Sequence, residues 1–588
     1  MRYCFFIVSK YFLCLFFVFS ACTKSFSEIS ICSNLQEGDS ISVALYSYME
    51  DRYATVNGAS VTSSDVARGR VNISLPDSLL KNIGALSITI HCYSDSILAI
   101  SSIRLKGFAT FYPQDIMNLL WWQDGLMFEI DSKSNTIKSP INENIPGTFP
   151  IGISAFYKSS HLLGIQLFFR LSLIATLLIF TLVFTIQAPT HRLPLFTIAL
   201  FLASIPLKTD YTNYTMGIMI LTMFISFIYN KSRRFTWQPV FYVLCAMYLM
   251  NVIGLLYTND FNHGIKRLDT CIVLILFPAV FSMFQFPKKN VLLLLRFFVW
   301  STIAFCAFGL LSYATIVPEF TWNMVFRDSK LYAPLLMMWP AHPHPSFLST
   351  ILLMAVPVSL YLRFGDEKQI TLIEMLFGVL LPVVFTILSG ARVGLVIAPA
   401  LLALGYLFYC RFKPVLKWGI LVVGIVLSGI FLHNNVEHAG SVLLSDPIRT
   451  DLRKTAISAI SEKPVFGWGT GAAMSLIKSE ERAHSLGIET PYDFTSFHNH
   501  YLEDMVQFGI PGIILLLTLF GWILWIGLRE KNFLLLSLLA IYSLFCWTES
   551  ALFISKAVIP FTFWLCFFMT NRENINLSLT QCNKSISD

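Results

Sequence analysis

The feature that most constrains this chain is a series of apolar runs of roughly the 20 residues an α-helix needs to cross the hydrocarbon core of a bilayer, or somewhat shorter. They begin near Leu162, Leu193, Tyr214, Gln238, Leu268, Val291, Ser346, Ile370, Val393, Leu416, Ile510, Phe533 and Ala557. Hydrophobic residues make up 55% of the 588 positions and charged residues 13%, a balance that soluble domains do not reach. The expected fold class is an all-α polytopic membrane protein of about 12–14 transmembrane helices. An N-terminal extracytoplasmic β-sandwich-like domain is expected to precede them.

The formal net charge of +7 does not point to nucleic acid, because Lys and Arg fall in small clusters between the apolar runs. Such clusters mark cytoplasmic loops. Lys231, Arg233 and Arg234; Lys288 and Lys289; Arg363 and Lys368; Arg411, Lys413 and Lys417; Arg529 and Lys531; and Arg572 are all expected on that side. The long connections at 318–345 and 433–509, and residues 23–160, then face the other side.

The opening MRYCFFIVSKYFLCLFFVFSAC has a basic front and an apolar stretch of signal-peptide length, which exports the adjoining segment whether it is cleaved or kept as an anchor. Phe19-Ser20-Ala21-Cys22 resembles a lipoprotein cleavage box, with Phe19 in place of the usual Leu. Between 30 and 150, alternations such as Val71, Ile73, Leu75 and Leu86, Ile88, Ile90 are broken by Gly, Asn, Asp and Pro, which is strand patterning. The expected organisation is a leader or anchor at 1–22, a β-rich domain at 23–160, a membrane domain at 161–571 with a large outer loop at 433–509, and a cytoplasmic tail at 572–588. Cys245, Cys271, Cys306, Cys410, Cys546 and Cys566 lie in apolar runs, where cysteine packs as a small hydrophobe. Cys32 and Cys92 are placed to pair only if the N-terminal region is exported. Trp121 and Trp122 suit either a sugar platform or core packing.

The chemistry-bearing residues concentrate on the outer loops. In SFHNHYLEDMVQFGIPG, at 496–512, Ser496 is expected to cap a short helix, Gly509 to end it in a left-handed conformation and Pro511 to open the next span. On such a helix His498 shares a stripe with Leu502 and Met505, while His500 lies about 200° away, so only one imidazole faces a given cavity. A neutral imidazole there can take a proton from a hydroxyl, whereas an interfacial histidine can equally serve only to bond a backbone carbonyl. Arg392 and Arg449 lie at expected helix ends, where an arginine can simply snorkel to the headgroups.

His498-Asn499 followed after nine residues by Gly509-Ile510-Pro511-Gly512 resembles the HN-x9-GxxG signature of the bacterial O-antigen ligase and polymerase family. Upstream, IRTDLRKTAISAISEKPVFGWGTG is similar to that family's run of an Arg, an amphipathic helix and a PxxGxG turn. Here it supplies Arg449, a face of Leu452, Ala456 and Ile460, Pro464 as a stop, and Gly467, Gly469 and Gly471. SGARVG at 389–394 resembles the family's SRxG with Ala391 where Ser is commoner, and HPHPSFLS at 342–349 its hPN turn. The likeness extends over roughly 190–570.

The resemblance implies a metal-independent, inverting glycosyltransferase without a cofactor. It would move a glycan from undecaprenyl pyrophosphate to an acceptor hydroxyl of lipid A core or a similar molecule, at the periplasmic face of a bacterial inner membrane. His498 would be the general base, Arg392 and Arg449 would hold the pyrophosphate, and His344, Asn499, His500 and Arg453 are possible site-lining residues. Glycan, protein and membrane lipid are the expected partners. An O-antigen or exopolysaccharide polymerase, a protein O-oligosaccharyltransferase and, from another class, a solute transporter are the alternatives. His342 and His344 beside Asp328 invite a metal, but Pro343 and Pro345 favour a rigid turn that presents no helical ligand pair.

Overall fold

The computed structural model describes strand segments between 28 and 151, and residues 160–187, 192–207, 209–229, 235–316, 344–365, 367–389, 391–409, 447–488, 491–492 and 494–575. The leader at 1–22, Cys92, Trp121, Trp122, Asp328, His342, the run starting near Leu416 and the tail beyond 575 lie outside these residues, as do the side chains of Cys32 and Arg392. The chain divides into two compact units, Met1–Ser172 and Leu173–Asp588.

The first unit is built from antiparallel strands. β1 (Glu28–Ser33), β2 (Ser40–Ser47), β3 (Arg52–Ser60), β4 (Arg70–Ser74), β5 (Ile83–His91), β6 (Leu98–Leu105), β7 (Ala109–Phe111), β8 (Glu129–Asp131), β9 (Thr136–Ser139) and β10 (Thr148–Ile151) form two sheets. Their orders are β4-β1-β6-β9-β8, with β7 also on β6, and β10-β5-β2-β3. The alternation read from the sequence sets the register, since Ile29 and Ile31 stand opposite Ile73 and Val71, and Val43 and Leu45 opposite Ile88 and Leu86. What the strands establish is antiparallel pairing within each sheet, and not the sandwich expected from the alternation.

The second unit is helical. It comprises α1 (Ser160–Ile186, which starts in the first unit), α2 (Arg192–Ser204), α3 (Thr209–Tyr229), α4 (Pro239–Gly254), α5 (Phe261–Cys271), α6 (Val273–Ser282), α7 (Lys288–Ile316), α8 (Pro345–Leu353), α9 (Ala355–Phe364), α10 (Leu372–Leu388) and α11 (Arg392–Tyr409). After these come α12 (Pro447–Glu462), α13 (Ala473–Ile477), α14 (Glu480–Ser485), α15 (His500–Phe508), α16 (Ile510–Arg529), α17 (Phe533–Thr548), α18 (Ser555–Thr570) and α19 (Arg572–Ile575). Four stretches, Thr209–Tyr229, Lys288–Leu311, Pro345–Phe364 and Ile510–Arg529, are long and apolar enough to cross a membrane, and shorter apolar helices accompany them. The chain is an α-helical membrane protein. Within the bundle the Pro345–Phe364 stretch is 83% buried and α3 only 17%, so the former is central and the latter peripheral. Pro357 has no N–H to give to the carbonyl four residues back, and the central span accordingly breaks at Met354 into α8 and α9.

One expected span is corrected by the structure. The run beginning near Leu268 is split at Ile272 into α5 and the short α6. His263, Lys266, Arg267 and Asp269 make α5 amphipathic, and a helix so charged packs against protein instead of crossing lipid.

Aromatic packing locks the bundle. Phe563 meets Phe201 at 5.1 Å and Phe281 at 5.5 Å between ring centroids, joining α18 to α2 and α6. Each such pair contributes about 0.5–1.5 kcal/mol beyond its buried area.

Ion pairs identify one end of the bundle. Lys288 pairs with Glu367 at 3.0 Å, Arg572 with Glu530 at 3.2 Å, and Asn574 donates to the Phe286 carbonyl. The loop residues expected to be cytoplasmic that these contacts involve, Lys288 and Arg572, together with Arg529 beside Glu530, therefore gather there. α16 runs away from the opposite end, α17 returns to it and α18 leaves it again, which places Gly509, Glu549 and Ser555 together.

Candidate active site

At that opposite end the stretch 447–512 folds into a compact cap. α12 buries Leu452, Ala456 and Ala459, with Ile460 packed beside them, against Ala472, Ala473, Leu476, Ile477, Phe497 and Val506. The three glycines after Pro464 have φ of 69°, 91° and 86°, a region that side chains disfavour. Their turn lies on the end of α15, where the N–H groups of Trp468 and Gly469 donate to the carbonyls of Val506 and Gln507 at 2.8 Å. Gly509 ends the helix with φ 64° and ψ −147°, a positive-φ conformation that glycine permits but not the left-handed helical one expected, and a Cβ there would strike the Val465 carbonyl. Pro511 then lies in the first turn of α16.

The expected start of that helix is wrong by three residues. Asn499, not Ser496, is the N-cap, accepting from the Leu502 N–H at 3.1 Å while its Nδ2 donates to the Trp547 carbonyl at 3.0 Å. Asn499 thereby joins α15 to the last turn of α17. His498 precedes the helix, and the helical stripe with Leu502 and Met505 does not apply to it. Its φ is 51°, uncommon for a residue with a side chain and found preferentially where surrounding contacts over-determine the backbone.

His498 Nδ1 lies 2.8 Å from Glu549 Oε2. With the carboxylate as acceptor, Nδ1–H donates and the lone pair is left on Nε2. Glu549 is 2% exposed and His498 23%, so the acid is covered while the imidazole reaches the surface. The other carboxylate oxygen lies 3.5 Å from Arg449 Nη2. The ring of Phe494 stands edge-on to that of His498, with centroids 5.3 Å apart. His344, the N-cap of α8, is within electrostatic range of Glu549, His498 and Arg449. Its pKa is lowered, first by loss of hydration, although part of the residue faces solvent.

The remaining candidate positions separate. Arg453 is exposed one turn after Arg449. Arg392 opens α11, and Gly394 in the next turn lets that helix approach Thr386 of α10 and Ser349 of α8 closely. His500 does not line the site. It is fully buried, its ring 4.6 Å from that of Phe553 and its Nε2 3.7 Å from Asp504 Oδ2, and neither nitrogen has a hydrogen-bond partner among the described residues.

Burial pushes the His500 pKa down to about 3, with Arg267 contributing second, and burial raises those of Glu503 and Asp504. A histidine lowered in the folded state is protonated first in the unfolded chain. The stability it contributes is present above the ordinary imidazole value and is lost as pH falls from about 6.5 toward the folded value. The two carboxyl groups act in the opposite sense but are common to wild type and variant. His500→Leu is therefore expected to lose less thermal stability than wild type between about pH 7 and pH 5 in detergent, measured as the difference in Tm.

Glu549, the partner of His498, is absent from the candidates read from sequence; it and Lys556 both lie at the site end of the bundle. Glu549 caps α17. Lys556 donates to the carbonyls of Ile205 and Leu207 and to Thr212, holding the α2–α3 turn. The available signal was an acid in WTES between two apolar runs on the predicted outer side, without a basic neighbour in sequence.

Fold and site together define a membrane protein with a histidine–carboxylate–arginine constellation on a capped bundle end. Residues 377–517 match the family model described as O-Antigen ligase, so the chain carries an O-antigen ligase family domain, as its motifs indicated. That match includes Arg392, Arg449 and His498 and stops before Glu549. An uncharacterized protein of Haemophilus influenzae (strain ATCC 51907 / DSM 11121 / KW20 / Rd) is 26% identical over 179 residues, covering 27% of this chain and 44% of that protein. The chain thus spans less than half the length of this relative.

Proposed function

We propose that the protein is a membrane glycosyltransferase of O-antigen ligase type, transferring a glycan from undecaprenyl pyrophosphate to an acceptor hydroxyl. The observation that carries this reading is the bond from His498 to Glu549, with Arg449 on the same carboxylate, at the end of the bundle opposite the Lys288 and Arg572 contacts. By the distribution of basic residues that end is periplasmic, in an inner membrane. The strand-bearing segment between 28 and 151 is read as exported, on the basic front and apolar stretch that open the chain.

In the reaction, His498 Nε2 accepts the proton of the acceptor hydroxyl as its oxygen attacks the anomeric carbon. Glu549 stabilises the imidazolium that forms, as a buried carboxylate does for a catalytic histidine. Undecaprenyl pyrophosphate departs from the opposite face, inverting the configuration, with its charge met by Arg449 and Arg392. This step assigns the proton and the leaving group to residues of the chain, without a metal.

The test is a surface glycan profile of a deletion strain complemented with wild type or His498→Ala at equal protein level. Restoration by wild type alone supports the reading, and failure of wild type to restore long glycan on lipid A redirects it to another polymer or to a protein acceptor. Arg449→Ala is expected to weaken binding of undecaprenyl pyrophosphate by about 10–100-fold, the value of one or two charge-assisted hydrogen bonds, as measured by titration in detergent. Arg449→Lys does not restore it, because an ammonium lacks the paired donor geometry.

A further inference from the structure

The residues flanking His498 and Glu549 are held by one carboxylate that the proposed chemistry does not use. Glu503 Oε2 accepts from the Phe497 N–H at 2.9 Å and from the Ser550 hydroxyl at 2.9 Å. Phe497 precedes His498 and Ser550 follows Glu549, so a single oxygen ties the base-bearing loop to the loop that bears its partner. Glu503 Oε1 accepts from Gln507 Nε2 at 2.9 Å and lies 3.7 Å from Arg267 Nη2. Arg267 is itself fixed, donating to the Phe553 carbonyl at 2.6 Å with its guanidinium 3.3 Å above the Phe553 ring. Glu503 is fully buried.

From this geometry we infer that Glu503 is a positioning residue. Its Oε2 clamps the Phe497 backbone to the Ser550 side chain and so sets the approach of the His498 imidazole to Glu549. The left-handed backbone of His498 fits this role, since a disfavoured conformation persists only where its neighbours are pinned, and the Phe497 N–H is one such pin. Gln507 bridges the clamp to the glycine turn, its Oε1 accepting from the Gly471 N–H at 3.0 Å. The clamp therefore also couples the site to the PxxGxG-like segment. The inference rests on His498 acting as base.

The experiment measures transfer from undecaprenyl pyrophosphate-linked oligosaccharide, per folded protein, alongside binding of undecaprenyl pyrophosphate. Glu503→Ala is expected to lower kcat by about 10–100-fold, as small misplacements of a catalytic group do, with Kd for undecaprenyl pyrophosphate changed less than about 3-fold. Glu503→Gln keeps an oxygen that can accept both bonds, while its NH2 group opposes Gln507 Nε2 and Arg267, so it is expected to retain more kcat than Glu503→Ala without reaching wild type. In a His498→Ala background Glu503→Ala adds no further loss, because it acts through the imidazole.

A wild-type kcat in Glu503→Ala overturns the clamp, as does an equal further loss on top of His498→Ala. If Glu503→Ala does not accumulate as folded protein, Ser550→Ala decides: a drop of about 3–10-fold in kcat at unchanged Kd supports the clamp, and an unchanged kcat overturns it. A wild-type rate in His498→Ala alone would instead reject the base assignment, which separates that failure from this one.

Discussion

His498→Ala is expected to lower kcat by about 10²–10⁴-fold while leaving the protein folded and the donor bound, the range general-base catalysis contributes. Among the described residues the side chain makes one hydrogen bond, to Glu549, and it is 23% exposed, so its removal leaves no large cavity. On the proposed mechanism, what is lost is the acceptor for the hydroxyl proton, an interaction made in the transition state. The loss should fall on kcat and on kcat/KM alike. Single-turnover transfer from purified lipid-linked oligosaccharide measures it, and a rate near wild type would remove His498 from the mechanism.

The second large effect is expected at Glu549. Glu549→Gln keeps the shape but replaces the carboxylate by an amide able to present an N–H to Nδ1, which favours the tautomer with its proton on Nε2. A histidine in that tautomer cannot act as base, and replacing the corresponding acid of a serine protease by its amide costs about 10⁴ in kcat, so a loss on the order of 10³–10⁴-fold is expected here. The same change removes the charge facing Arg449 at 3.5 Å, so donor affinity is expected to shift as well. Measuring kcat and undecaprenyl pyrophosphate Kd together separates the two effects. A Glu549→Gln enzyme with wild-type kcat would show that the buried carboxylate does not set the tautomer.

Much of this architecture is legible in the chain because it depends on local rules. A bilayer imposes a length on every span, and the apolar runs near Val291, Ser346 and Ile510 became helices that meet it. Gly509 needed a positive φ and Pro511 had to sit where its missing N–H is harmless, and both were predictable from their chemistry. The alternation at Val71 and Ile73 and at 86–90 became paired strands for the same reason. The motif spacing placed His498 and Arg449 among the candidates before any distance was known.

Tertiary structure decided the rest, because it depends on which distant segments meet. Helical periodicity put His498 on a stripe with Leu502, yet the cap fell at Asn499, whose amide also bonds the Trp547 carbonyl of another segment. His500, equal to His498 as a titratable group in the sequence, is sealed against Phe553 and Asp504. Glu549, 51 residues from His498, becomes its partner only because α16 and α17 run down and back through the bundle. Residue type and spacing are carried by the chain itself, whereas desolvation, tautomer and carboxylate pairing exist only once the helices have packed, and it is these that distinguish one imidazole from the other.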